Sequence, residues 1–168
     1  MTTLVAVNTY TYSVTYVSDK ILKSLKDIIL LSGLSPEKLA RDWEVLHRGI
    51  KIWLSSQDLQ EVHLEVYNPN TGKLIGRWDF EVYYGYSGDG AFWVDTDAIK
   101  YHIIKAGQWP STCDYRIVVT TKPGQPDVAG WSGTTLRSTN GFVKQSIGTT
   151  LDGGGLSTGT GYWRKVSQ

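Results

Sequence analysis

The chain has one cysteine, Cys113, so no disulfide can form within it, and a solitary thiol fits a reducing compartment. It has no excess of charge. Its 17 Lys and Arg stand against 16 Asp and Glu, a net charge of +1, which leaves no global field to recruit nucleic acid or an anionic membrane. A membrane span needs about 18 consecutive apolar residues, and no run approaches that. Met1–Tyr10 also lacks the basic-then-apolar pattern of a secretory leader. These absences predict a soluble, cytoplasmic protein without direct contact to nucleic acid or membrane. Its 168 residues suit a single domain able to bury a core unaided.

Catalytic signatures are equally scarce. No His or Cys pair has metal-ligand spacing. Cys113 with His47, His63 or His102 would supply a nucleophile and base, but the histidines are scattered over a helix, a strand and a helix, which favours structural roles. Gly85, Gly88 and Gly90, between a strand and a helix, invite comparison with a phosphate loop. That loop lacks the lysine, and Asp89 and Asp95 would repel an anion. Seven Trp and ten Tyr could form a stacking platform, yet Trp43, Trp53 and Trp78 fall on faces expected to be buried and the rest are dispersed. The expectation is no catalysis, no cofactor and no metal.

What is present is clear periodicity. Val14, Val17, Ile21, Leu25 and Ile28 recur at three or four, predicting a helix over Ser13–Ser32 with Gly33 as its C′ residue. Ser35-Pro36-Glu37 starts a second helix, carried by Trp43, Leu46, Ile50, Trp53 and Leu54 to about Ser56. Gly49 inside it costs about 1 kcal/mol relative to Ala, which points to close packing against another element or to a nearby break. The period then drops to two: Val62, Leu64 and Val66 alternate with Glu61, His63 and Glu65. After the Asn68–Gly72 turn, Trp78, Phe80, Val82 and Tyr84 share one face of a second strand, giving an antiparallel hairpin. His63, Glu65, Arg77, Asp79 and Glu81 form its outer face, read as surface cross-strand ion pairs.

Asp95 or Thr96 caps a third helix in which Ile99, Ile103 and one of Tyr101 or Ile104 face inward before Gly107. Tyr115–Thr121 forms a third strand ended by Lys122-Pro-Gly-Gln-Pro. The result is an α+β domain, a three-stranded antiparallel sheet backed by three helices, with residues 1–121 as core.

Residues 122–168 differ in kind. They hold 10 of the 18 glycines and 12 Ser or Thr, together with widely spaced Trp131, Phe142, Tyr162 and Trp163. Such a segment is too apolar for a disordered tail and too glycine-rich for a helix or central strand. It reads as mobile but able to dock. An exposed strand edge beside it is a place for an extended chain, the tail or a partner peptide, to pair.

Particular stretches carry a resemblance. They are Thr11-Tyr-Ser-Val-Thr-Tyr-Val, Ile21-Leu-Lys-Ser-Leu-Lys-Asp-Ile, Leu64-Glu-Val-Tyr, Arg77-Trp-Asp, Tyr84-Gly-Tyr-Ser-Gly-Asp-Gly, the Lys122–Trp131 and Arg137–Ser146 stretches, and Gly161-Tyr-Trp-Arg. With these the whole chain resembles the bacterial HORMA domain proteins tied to cGAS-like nucleotidyltransferases in CBASS antiphage operons. The resemblance implies a HORMA fold whose C-terminal safety belt, residues 122–168, adds strands and wraps a closure-motif peptide laid on the sheet edge. It further implies that Lys122–Asn140 crosses the peptide and the terminal residues pair beside Leu74–Tyr84. Peptide contacts carried over in this way are Cys113, Tyr115, Arg116, Ile117, Val118, Val119 and Thr120 on the strand, with Trp131 and Arg137 from the belt. Arg116, Val118 and Thr120 would give selectivity from one face. An AAA+ remodelling ATPase would grip the N-terminus at Thr2, Thr3, Leu4, Val5 and Ala6, and the closed form would activate the nucleotidyltransferase. Two other readings stay open on the residues: a small-ligand-binding or enzymatic domain using Gly85–Gly90, and a constitutive scaffold.

Overall fold

The computed structural model describes residues 9–88 and 91–166. Thr2–Ala6 and the Asp89-Gly90 end of the glycine loop lie outside them. Helix α1 spans Thr9–Leu31, starting earlier than the apolar stripe predicts. Val14, Val17, Ile21, Leu22, Leu25 and Ile28 are all 1% exposed or less. Each such burial stabilises the fold by about 1.5–3 kcal/mol. The helix ends as its glycine requires: Leu34 N–H donates to Ile29 O at 3.0 Å and Gly33 N–H to Leu30 O at 3.2 Å, with Gly33 at φ +89°. This paired bonding past a left-handed C′ residue satisfies the orphan carbonyls of the last turn.

The second predicted helix is divided. Helix α2 is Glu37–Arg41 and α3 is Trp43–Ser55, with Asp42 closing one and opening the other. Pro36 occupies the N-cap rather than the first helical position, and Ser35 Oγ accepts from Glu37 N–H at 3.3 Å. The break therefore falls seven residues before Gly49, which stays helical for the other reason, close packing. A Cβ on Gly49 would stand 2.3 Å from Trp131 Nε1.

Strands β1 (Leu59–Tyr67) and β2 (Leu74–Tyr84) form the predicted hairpin. Its turn is closed by Asn68 Oδ1, which accepts from Asn70 N–H at 2.8 Å. A three-residue strand, β3 (Phe92–Val94), follows the glycine loop and is absent from the sequence reading. Asp95 then caps α4 (Thr96–Ala106) by accepting from Ala98 N–H at 3.0 Å. Ile99 and Ile103 are buried, but neither Tyr101 nor Ile104 turns inward: they are 63% and 81% exposed. Strands β4 (Asp114–Thr121), β5 (Phe142–Gly153) and β6 (Leu156–Lys165) complete a six-stranded sheet in the order β3-β5-β6-β2-β1-β4. The three expected strands lie side by side as β2-β1-β4. The C-terminal hairpin β5–β6 adds beyond β2, with β6 antiparallel to it from Arg77↔Trp163 to Tyr84↔Leu156.

Val62, Leu64, Val66, Trp78 and Phe80 join α1, α3 and α4 in one core that also takes in Leu151, Leu156 and Tyr162 of the C-terminal hairpin. Tyr162 stacks on Trp78 with centroids 4.8 Å apart. The opposite face of the sheet corrects the reading of surface ion pairs. His63, Glu65 and Asp79 are at most 1% exposed and Arg77 only 8%, because residues from the C-terminal segment cover them.

Candidate peptide-binding edge

Strand β4 pairs with β1 on one side, and among the described residues no strand lies on its other side. A strand edge of this kind presents unpaired N–H and C=O groups to whatever approaches. Alternation sends Tyr115, Ile117 and Val119 toward the helices. There the Tyr115 hydroxyl donates to Ser35 O at 2.7 Å and accepts from Leu39 N–H at 3.2 Å. Arg116, Val118 and Thr120 point to the other face, where Thr120 Oγ1 lies 2.8 Å from His63 Nε2.

The chain leaving β4 curls around this edge. Lys122 N–H donates to Asp58 O at 2.8 Å, and Trp53 Nε1–H donates to Pro126 O at 2.8 Å. Trp131 then lies on α3. Its indole N–H donates to Val45 O at 3.0 Å, and its ring meets Trp53 edge-on at 5.0 Å, in space that only a glycine at position 49 leaves. Past Trp131 the segment passes the edge itself, where Arg116 donates to Thr134 Oγ1 at 2.8 Å and Thr135 O at 2.6 Å. It reaches the far face at Arg137, so residues 122–141 run from the helical face, around β4, to the polar face. Between this segment and β4 lie cavities of about 290 Å³ and about 250 Å³ that share Ile117 and Trp131 as walls.

Two buried carboxylates hold the C-terminal segment, one at Arg137 on the strap and one at Trp163 on β6. Glu65 on β1 accepts from Arg116 Nε at 2.7 Å, from the Arg137 backbone N–H at 2.6 Å and from the Arg137 guanidinium. Arg137 also donates to Gly72 O at 2.6 Å and lies 3.6 Å from the Tyr67 ring centroid. Burial acts to raise the Glu65 pKa, but the Arg137 N–H and the two guanidiniums outweigh it and hold the group below its usual range. Asp79 on β2 is the second. His63 Nδ1 lies 2.7 Å from it, Arg77 donates at 2.9 Å and 3.1 Å, and Trp163 Nε1–H donates from β6 at 2.8 Å. Burial again pushes upward, and the His63 and Arg77 contacts drive the Asp79 pKa well down. The Arg77 guanidinium also stacks over Trp163 at 5.0 Å.

Of the residues carried over from the resemblance, Tyr115 to Thr120, Trp131 and Arg137 thus meet around one edge. Cys113 stands apart, in a hollow with Leu34, Lys38 and Arg41. Its thiol pKa is pushed up by burial, opposite to the shift that activates a nucleophile. His47 pairs with Ser18, His63 with Asp79 and His102 with Tyr162, so none is joined to it. Asp95 fills the N-terminus of α4 where an anion would sit, and Ser87 N–H donates to Gly154 O, tying the glycine loop to the β5–β6 turn. Among the described residues no cluster of three His, Cys, Asp or Glu is placed to hold a metal, and no helix is long and apolar enough to cross a membrane. The sequence reading missed Glu65, Asp79 and Tyr67 as partners of the C-terminal segment. Gly49 was the one local signal of that docking.

A central sheet with helices on one face and a C-terminal segment that passes around one edge to pair at the other defines a HORMA domain. Residues 1–166 match the family described as Bacterial HORMA domain 2, and the chain belongs to that family. No curated protein matches the sequence. Among solved structures, it is similar to a chain of the mitotic checkpoint complex, with TM-score 0.77 and 13% identity over 92% of this chain and 99% of that one. C. elegans HTP-2 bound to the HIM-3 closure motif aligns at TM-score 0.70 and 10% identity, covering 98% of this chain and 100% of the other. The E. coli MS115-1 CdnC:HORMA-deltaN complex aligns at TM-score 0.60 and 13% identity, covering 99% and 100%. At these identities the likeness is one of fold.

Proposed function

We propose that the chain is a non-catalytic conformational switch that captures a closure-motif peptide on the free edge of β4 and, when closed, activates a cGAS-like nucleotidyltransferase in antiphage defence. In this reading residues 1–121 are the core and 122–168 the safety belt. The observation that carries it is the strap of residues 122–141 around an unpaired strand edge, with cavities left between strap and strand. Backbone pairing along β4 would give affinity, and the side chains at Tyr115–Thr120 the selectivity. The fold-level likeness to HTP-2 bound to a closure motif supports peptide capture, and the likeness to a CdnC:HORMA complex supports the nucleotidyltransferase partner. An AAA+ ATPase acting on Thr2–Ala6 would reopen the domain.

The test uses the full chain. Peptides selected from a random display library should slow amide exchange across Asp114–Thr121 on binding. They should also raise nucleotide-product formation when the chain is mixed with the nucleotidyltransferase encoded beside it. Selected peptides that leave Asp114–Thr121 unprotected would overturn the edge assignment, and unchanged product formation would overturn the activation step.

A further inference from the structure

A row of polar side chains crosses the sheet from the free edge to the C-terminal hairpin. Thr120 Oγ1 on β4 lies 2.8 Å from His63 Nε2 on β1, and His63 Nδ1 lies 2.7 Å from Asp79 Oδ1 on β2. Trp163 Nε1–H donates from β6 to Asp79 Oδ2 at 2.8 Å, and Lys144 Nζ of β5 stands 3.5 Å from the same oxygen. Gly161 keeps the row continuous. It faces Asp79 across the β2–β6 ladder, and a Cβ there would stand 2.9 Å from Lys144 Cε, so the missing side chain is what lets Lys144 lie across β6. Five of the six strands thus contribute, and His63 and Asp79 at the centre are each 1% exposed.

We propose that this row couples occupancy of the β4 edge to docking of the β5–β6 hairpin, with the His63 ring as its moving part, a regulation that rests on the reading of β4 as a peptide-capturing edge. Burial alone would favour a protonated Asp79, but its donors hold it ionised. It can then only accept, so His63 Nδ1 carries a proton. Of the four side chains that face this anion, His63, Arg77, Trp163 and Lys144, the last two belong to the hairpin. When the hairpin lifts away, a buried charge loses both, a costly change, and His63 and Arg77 alone must hold it. A planar ring cannot turn at one nitrogen without moving the other. His63 Nε2 has two neighbours, Thr120 on the edge strand and Glu61 Oε2 of β1 at 3.2 Å. A tilt that follows Asp79 trades Thr120 for Glu61 and frees a hydroxyl on the strand with which a ligand pairs.

Coupling of this kind is reciprocal. A ligand strand that fixes β4 holds the ring toward Thr120, keeps Asp79 fully paired and stabilises the docked hairpin. The size of the effect is set by how much better the ligand binds the docked state than the undocked one, not by its overall tightness. Without the row, Thr120 and Trp163 would act independently. Three inter-strand steps put them about 14 Å apart, beyond the about 7–10 Å within which substitutions interact.

The experiment uses the full chain labelled with 5-fluorotryptophan, the Trp163 resonance being the one that Trp163→Phe removes. Thr120→Val keeps the side-chain shape and deletes the hydroxyl. It should shift the Trp163 resonance and speed amide exchange along the β6–β2 ladder by about two- to tenfold, the worth of one side-chain hydrogen bond. Trp163→Phe should in turn move the Thr120 methyl resonance while the β1–β4 amides stay protected. Together the two substitutions should speed exchange by less than the product of their separate effects. Lys144→Met repeats the measurement from the far end of the row, at a side chain 32% exposed, and should also move the Thr120 methyl. If Thr120→Val leaves both the fluorine resonance and the ladder exchange unchanged, the coupling is overturned, and this arm needs no ligand. With a display-selected peptide at saturation, ladder exchange should slow in the unsubstituted chain and slow less in Thr120→Val. A peptide that protects Asp114–Thr121 yet slows the ladder equally in both proteins would overturn the coupling while peptide capture stands. If no peptide is selected, capture fails as a reading, and the first arm still decides whether edge and hairpin are coupled.

Discussion

The Arg137 backbone N–H lies 2.6 Å from Glu65 Oε2, so a residue on the strap donates its main chain to a carboxylate buried on β1, one strand in from the edge. Arg116 shares the same carboxylate from β4. One fully buried anion thus joins the strap to the strand it encloses.

Glu65→Gln keeps the shape and removes the charge that both guanidiniums face. Breaking a fully buried pair costs about 3–5 kcal/mol. Because the Arg116 and Arg137 side chains are 29% and 25% exposed, a loss of about 2 kcal/mol is expected, partly screened by solvent. Urea denaturation measures the total. Amide exchange should show the loss concentrated at residues 132–140, and uniform weakening across α1 would contradict the assignment.

The pH dependence follows from the same groups. Glu65 and Asp79 both have folded pKa values below their unfolded ones. Their stabilisation is therefore fully present above the unfolded carboxylate values, about 4, and is lost as pH falls from there toward the folded values. The contribution of these two carboxylates to the urea midpoint should be constant from about pH 7 to pH 5 and drop below about pH 4. In Asp79→Asn the drop should be shallower, and an unaltered slope would show that Asp79 does not contribute.

Gly49→Ala raises the intrinsic helix propensity of α3 by about 1 kcal/mol, yet its Cβ would stand 2.3 Å from Trp131 Nε1. The indole must therefore move off α3. With 5-fluorotryptophan labelling, the Trp131 resonance should shift toward its exposed value and proteolysis within residues 122–137 should accelerate. A variant that simply gains stability with Trp131 unmoved would refute the packing argument.

Trp163→Phe deletes the indole N–H that Asp79 accepts at 2.8 Å and weakens the stack with Arg77. A hydrogen bond to a charged group contributes about 1.5–3 kcal/mol. Exchange should quicken first along the β6–β2 ladder, from Arg77↔Trp163 outward, while β1–β4 pairing persists.

What the sequence disclosed was local. The stripe from Val14 to Ile28, the Gly33 cap and the Val62–Val66 alternation each depend on neighbours a few residues away, and each is found as expected. The polar face of the hairpin was misread for the opposite reason. His63, Glu65 and Asp79 carry a surface-like pattern, and what buries them is Arg137 and Trp163, 72 and 84 residues distant in the Glu65 and Asp79 contacts. No periodicity encodes that distance. Strand β3 was missed because three residues are too few to show a period, and the break at Asp42 because the apolar spacing continues across it. Around the edge, the resemblance supplied β4, Trp131 and Arg137, whereas the carboxylates that fasten the strap came from the structure.

The path of residues 122–141 has a mechanical consequence. The strap is fastened at both ends, by β4 on one side and by the β5–β6 hairpin on the other, so with β4 it closes a ring. A chain lying on the edge would be threaded through that ring as well as bound to it. If folded bodies flanked the threaded stretch on both sides, it could not slide free. How long it stayed would then be set by how often the eight-residue β6–β2 seam from Arg77↔Trp163 to Tyr84↔Leu156 comes undone, with the tightness of the ligand's own contacts having little say.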